Sequence, residues 1–201
     1  MKAAIESRFQ MNISRVRNLT DIYRNHLMGS GRGRRDHSKT DVLRSAVVML
    51  HAAMEDLLRS IAYWKLPAAS AQTLGKIPLV SIAPALKFSL GDLSSHRGKT
   101  VDEVIESSVN GYLERSNYNN TDEVAAFLGS VGIDVNQVNA HFSNIDPVMK
   151  RRHQIVHRAD QDDDATGRGH YRVTSIGVKK VENWISSIEA FGNAVLNEIQ
   201  S

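Results

Sequence analysis

Apolar side chains recur along this chain at three- and four-residue steps and rarely at steps of two. Ile5, Phe9, Ile13, Val16, Leu19, Ile22 and Tyr23 form the first such stripe and predict a helix from Ala3 to about Met28. The glycines of "GSGRGRRDHSK" break the pattern and predict a loop. The strongest stripe follows it. Leu43, Ala46, Val47, Leu50, Ala53, Met54, Leu57, Leu58 and Ile61 give 42–64 a wide apolar face, the mark of a central core helix, with Thr40 or Asp41 as N-cap. Residues 65–100 lose the periodicity. Three of the four prolines fall there (Pro67, Pro78, Pro84), which predicts an irregular insertion with one short helix around 83–88. A strand at "IPLVSI" would have no obvious partner.

Helical spacing resumes at "TVDEVIESSVNGYLERS", where Thr100 and Glu103 form a capping box, and at "NYNNTDEVAAFLGSVG", where Thr121 is the expected cap. "DVNQVNAHF" predicts a short helical turn. Asp146 as N-cap and Pro147 at the first helical position open the next helix, which ends before the loop "DQDDDATGRGHYR". Val178, Val181, Trp184, Ile185, Ile188, Phe191, Val195 and Leu196 mark a last helix over about 174–199. The expected architecture is all-α: a single domain over 1–201, built as a mostly antiparallel helical bundle with an irregular insertion at about 65–100.

Composition narrows the chemistry. The chain has no cysteine, which excludes disulfides, thiolate zinc sites and cysteine nucleophiles. No apolar run approaches the roughly 18 residues of a membrane span, and the first residues lack the apolar core of a signal peptide. The expected location is the cytoplasm. Net charge is +3 but uneven: residues 1–39 hold nine Lys/Arg and three acids, 9 − 3 = +6, leaving −3 for the remainder. Such a segment suits an anionic partner such as nucleic acid, and it also suits a solvated helix and loop.

The stretch "KRRHQIVHRADQDDD", residues 150–164, concentrates the candidate chemistry. His153 and His157 form an H-x-x-x-H pair that puts two rings on one helix face, as zinc requires. A hydrolytic zinc helix reads H-E-x-x-H, however, and here Gln154 follows His153, so the general base is missing. Asp160, Asp162 and Asp164 match the first positions of a calcium loop, but Ala165 replaces its glycine and Tyr171 its final glutamate. No metal and no other cofactor is expected. Arg152 and His157 form an R-x4-H pair instead. At about 100° per residue, Ile145, Val148, Met149, Ile155, Val156 and Ala159 fall within roughly 60° of Arg152, setting it amid the apolar stripe. A guanidinium there needs a partner, such as Glu55, or a cleft. His157 lies about 140° round and shares a face with His153 and Lys150. Spacing alone leaves two accounts open: a reactive pair, or an inward-paired arginine beside a helix-end histidine.

The core helix with "AVVMLHAAMEDLLR" and the later helix with "RRHQIVHRAD" resemble the HEPN superfamily of all-α nucleases, most closely its RiboL-PSP-HEPN branch. The resemblance runs through nearly the whole chain in helix order, and these two segments are its specific part. The signature of the superfamily is R-x4-6-H, often with a polar residue directly after the arginine. The resemblance implies Arg152 and His157 as a catalytic pair, His153 at the polar position, and Glu55 as the acid that orients the arginine from the neighbouring helix. It also implies a homodimer with motifs facing across a cleft, and metal-independent endoribonuclease activity of the toxin–antitoxin or antiviral kind, with a possible antitoxin protein as partner. Lys150, Arg151 and Arg158 flank the pair as candidates for holding the RNA backbone. The alternative expectation is a HEPN-fold module that binds RNA or protein without turnover.

Overall fold

A computed structural model describes residues 1–29, 37–80, 90–161 and 173–199. Eight α-helices follow one another in these residues: α1 (Lys2–Ile22), α2 (His37–Lys65), α3 (Ala71–Leu74), α4 (Leu90–Leu93), α5 (Val101–Arg115), α6 (Thr121–Ser130), α7 (Phe142–Arg158) and α8 (Val178–Glu198). A π-helical turn, Tyr23–Leu27, extends α1. No strand occurs among the described residues, only an isolated antiparallel bridge between Gln161 and Val173. The protein is all-α, as the periodicity predicts.

Helices α1, α2, α7 and α8 form the bundle, and their side chains record its register. Down the α1–α8 interface, Lys2 reaches the Ile199 carbonyl, Gln10 pairs with Asn193, Arg17 with Glu189 and Arg24 with Glu182. Rising numbers on one helix meet falling numbers on the other, so the two run antiparallel. Arg8 and Asn12 both bind Asp56, which ties α1 to α2. These pairs alter the charge picture: Arg8, Arg17 and Arg24 each pair with an acid elsewhere in the chain, which offsets half of the excess of six at the N-terminal end. Arg32, Arg34 and Arg35 of the basic loop lie outside the described residues.

The core stripe of α2 is buried at every position from Leu43 to Ile61 named above, none more than 3% exposed. Of the α8 stripe only Val178 is not fully buried. One contact sets the α1–α8 distance. A Cβ on Gly192 would stand 2.4 Å from Phe9 Cε1 and Cζ, so only glycine lets the ring of Phe9 lie against the α8 backbone.

Several helix boundaries differ from the expectation. α2 begins at His37, so Thr40 is inside the helix and its hydroxyl accepts from Arg44 NH1. Asn120 caps α6, accepting the Glu123 N–H, and Thr121 is the first helical residue. α7 begins at Phe142, because two 3-10 turns at 135–141 run directly into it; Pro147 therefore sits inside the helix. α8 starts after Gly177, since the carbonyls of Thr174 and Ser175 are engaged by Arg151. The Thr100–Glu103 capping box forms as expected, and Thr100's backbone N–H and hydroxyl hold the Glu103 carboxyl below its usual range. Residues 77–80 are not a strand, and the short helix expected at 83–88 lies outside the described residues.

Candidate functional site

Helix α7 carries Arg152 and His157, and three elements decide what surrounds them. The first is the left-handed turn after α7. Ala159 and Asp160 have φ of 48° and 59°, which swings Asp160 back beneath the helix. Its Oδ2 accepts from Arg151 NH2 at 2.7 Å and Arg44 Nε at 2.6 Å, and Asp160 is fully buried. Both guanidiniums also donate to the Thr174 carbonyl. Thr174 N–H closes the turn on the Asp160 carbonyl.

This cluster corrects the helical wheel. The buried cation of α7 is Arg151, 8% exposed, and Arg152 lies at the edge of the apolar stripe, half-buried. Val156 is 48% exposed and Ala159 is also exposed, so the stripe turns away from the face centred on Arg152. Arg151 is taken up by an internal carboxylate and does not offer its charge to an RNA backbone.

The second element is α2, antiparallel to α7. His51 and Glu55 sit one turn apart on it, with His51 Nδ1 3.8 Å from Glu55 Oε2. His51 is 1% exposed, and neither ring nitrogen has a hydrogen-bond partner. Burial pushes its pKa below the usual value; Glu55 pulls upward, and Arg152 adds to the lowering. Arg152 therefore lies within electrostatic range of His51. Glu55 is not its ion-pair partner, however.

The third element is the segment after α5. Arg59 donates to the carbonyls of Leu113 and Ser116, satisfying the last turn of α5, and lies over the Tyr118 ring at 5.8 Å. That anchorage delivers Asn119, whose Oδ1 accepts from Arg152 NH1 at 3.2 Å. Asn119 is the partner expected of Glu55. Nothing in its local sequence announces it, since it comes from a connection 33 positions away.

His153 and His157 are both exposed, and their rings lie side by side with centroids 4.5 Å apart, tilted at 42° to each other. Lys150 is exposed and paired with Asp146 at 2.6 Å. Arg158 is exposed. The arrangement thus puts two imidazoles in solvent on one face and a held arginine on another. No cluster of three or more metal-ligating side chains exists among the described residues, and no helix there is long and apolar enough to cross a membrane.

His51 could have been found from the sequence. It interrupts the apolar stripe of α2 between Leu50 and Met54, four residues before Glu55. A buried imidazole at that spacing marks a polar cluster inside the bundle.

The family model described as RiboL-PSP-HEPN matches residues 11–201. No curated protein and no solved structure gives a match.

Proposed function

The chain belongs to the RiboL-PSP-HEPN family, and on that footing we propose that it is a metal-independent endoribonuclease. The observation that carries the reading is Arg152, held half-buried by Asn119 beside His51 and Glu55, on the same helix as an exposed His157.

RNA carries its own nucleophile. The 2′-hydroxyl loses its proton to a base and attacks the adjacent phosphorus, and the 5′-oxygen leaves as it gains a proton. The products are a 2′,3′-cyclic phosphate and a 5′-hydroxyl. His157 suits the proton transfers, because imidazole titrates near neutrality. Arg152 carries a planar guanidinium that can fork onto phosphate oxygens as negative charge gathers there. His153, whose ring lies 4.5 Å from that of His157, is a supporting residue. Lys150 and Arg158 would attract the RNA backbone. One chain supplies one His157, and two proton transfers need two groups, so the reading includes a homodimer that presents a second His157. The proposed setting is cytoplasmic, as a toxin or antiviral component, with an antitoxin protein as an accompanying partner.

The test is cleavage of single-stranded RNA by the purified protein in EDTA, with the product ends identified. Cyclic phosphate ends without added metal are expected; activity that appears only with zinc, manganese or magnesium overturns the mechanism. A second reading is favoured by one contact. Arg152 is bonded to Asn119 and lies about 140° round the helix from His157, which also suits a module that binds RNA without cutting it.

A further inference from the structure

An open pocket of about 550 Å3 lies between the end of α5, α6 and the segment around 73–77. Its size falls within the range of ~300–1,000 Å3 usual for small-molecule sites. Phe127 and Leu113 give it an apolar floor. Tyr112 lines it with a ring 43% exposed, unusual for so large an aromatic with no partner to cover it. Lys76 and Arg115 line it too, and neither pairs with an acid among the described residues. Tyr118 is 2% exposed, yet its hydroxyl has no hydrogen-bond partner.

The pocket is coupled to the arginine site by covalent neighbourhood. Tyr118 directly precedes Asn119, which holds Arg152. Glu123, another lining residue, accepts the Asn119 backbone N–H at 2.8 Å. A phosphate on Arg152 would therefore place the adjoining nucleotide at the pocket wall. An exposed aromatic face beside unpaired cations is the chemistry that single-stranded RNA uses: the base stacks and the backbone phosphate is neutralised.

We propose that this pocket is a nucleotide subsite, taking one base of single-stranded RNA next to the phosphate on Arg152, stacked on Tyr112 with Lys76 and Arg115 at the backbone. The inference rests on the ribonuclease reading for the placement of that phosphate. Glu123 sets base preference. Its Oε2 is partly used by Asn119, but a carboxylate has further acceptor capacity and no donor. It favours a base with an exocyclic amino group, such as cytosine, over uracil, which presents a carbonyl at that edge.

The test uses full-length His157→Ala protein in EDTA, titrated with short fluorescein-labelled oligocytidylate and oligouridylate at low salt and read by anisotropy. Oligocytidylate is expected to bind more tightly. Tyr112→Ala should weaken binding about tenfold. Lys76→Ala and Arg115→Ala should each lower the salt slope by about one phosphate. Glu123→Gln should erase the base preference while leaving an amide oxygen able to accept the Asn119 backbone N–H. Because Tyr112 is exposed, its truncation spares the fold, and circular dichroism verifies this. Wild-type affinity in Tyr112→Ala overturns the subsite. If wild-type protein still cleaves RNA in that case, the ribonuclease reading stands alone. If Tyr112→Ala loses binding but the wild-type protein never cleaves, the subsite stands and the ribonuclease reading falls. Absence of any RNA binding sinks both.

Discussion

Asp160→Asn removes one charge and almost no volume, and the cost can be worked from its contacts. Asp160 sits at φ 59°, a region that asparagine tolerates as well as aspartate, so the backbone has no reason to move. Its Oδ2 accepts charge-assisted bonds from Arg44 and Arg151 at 2.6 and 2.7 Å, with all three residues buried. Hydrogen bonds to charged groups are each worth ~1.5–3 kcal/mol net, so the two together contribute about 3–6 kcal/mol. The asparagine carbonyl can keep a neutral bond, returning about 1 kcal/mol. A loss of about 2–5 kcal/mol remains, overlapping the ~3–5 kcal/mol expected when a buried ion pair loses one partner. Two guanidiniums would then share the Thr174 carbonyl, and Arg44 would keep its contact with the largely exposed Asp41.

For a chain of this length each kcal/mol moves the melting midpoint by ~2–4 °C, so the midpoint should fall by about 4–20 °C. Urea denaturation followed by far-ultraviolet circular dichroism measures the free energy directly. Hydrogen exchange adds the location: the amides of the last turn of α7 should exchange faster, because Asp160 closes that turn. A loss below about 1 kcal/mol would refute the reasoning. It would mean that removing three charges from water cancels their attraction, and that the cluster does not hold the end of α7.

Gly192→Ala should cost about 1–3 kcal/mol, because its Cβ would meet the buried Phe9 ring at 2.4 Å; Phe9→Leu in the same chain should recover part of it, and full additivity of the two losses would contradict the contact. His51 predicts a pH dependence. Its folded pKa lies below the ordinary 6.5, so as pH falls below about 6.5 the unfolded chain takes up a proton that the folded chain refuses, and stability declines on the acid side. His51→Gln should flatten that decline; identical pH profiles of denaturation midpoint would show that His51 is not the group responsible. For activity, His157→Ala and Arg152→Ala should each lose at least ~100-fold in RNA cleavage, whereas His153→Asn should stay within about tenfold. Equal, total loss from both histidine variants, with zinc bound in the wild type, would point back to an H-x-x-x-H metal site.

The bundle was legible in the sequence because its core rests on local repetition. Nine apolar positions on α2 face one way, and each is buried. Caps were legible only where local chemistry decides them. Thr100 and Glu103 satisfy each other within one turn. At α7, by contrast, the preceding 3-10 turns carry the helix backwards past Asp146, which the spacing of polar residues cannot foretell. The hardest distinction was between Arg151 and Arg152, neighbours only about 100° apart on the helix. Which one turns inward depends on Asp160 folding back and on Arg44 arriving from α2, with 116 positions of chain between the last two. The wheel contains neither fact. Glu55 was legible as a nearby acid, but the hydrogen bond went to Asn119, because Arg59 fixes the end of α5 where that amide can reach.

The two residues of the proposed pair are held by different means. Arg152 is held by the connection bearing Asn119 and lies within electrostatic range of His51 on α2. On the proposed reading, a guanidinium with such a partner suits charge stabilisation in a transition state. His157 is exposed, beside the tilted ring of His153, on a helix end pinned from below by Asp160. On the proposed reading the clamp matters to chemistry as well as to folding. It sets the last turn of α7, and with it the direction in which the imidazole leaves the surface. A substrate lying between Arg152 and His157 of one chain must bridge faces that diverge around the helix, whereas a two-fold copy can bring its own His157 opposite. On the proposed reading the missing half of the site is another His157, and loosening Asp160 should weaken cleavage even in those molecules that remain folded.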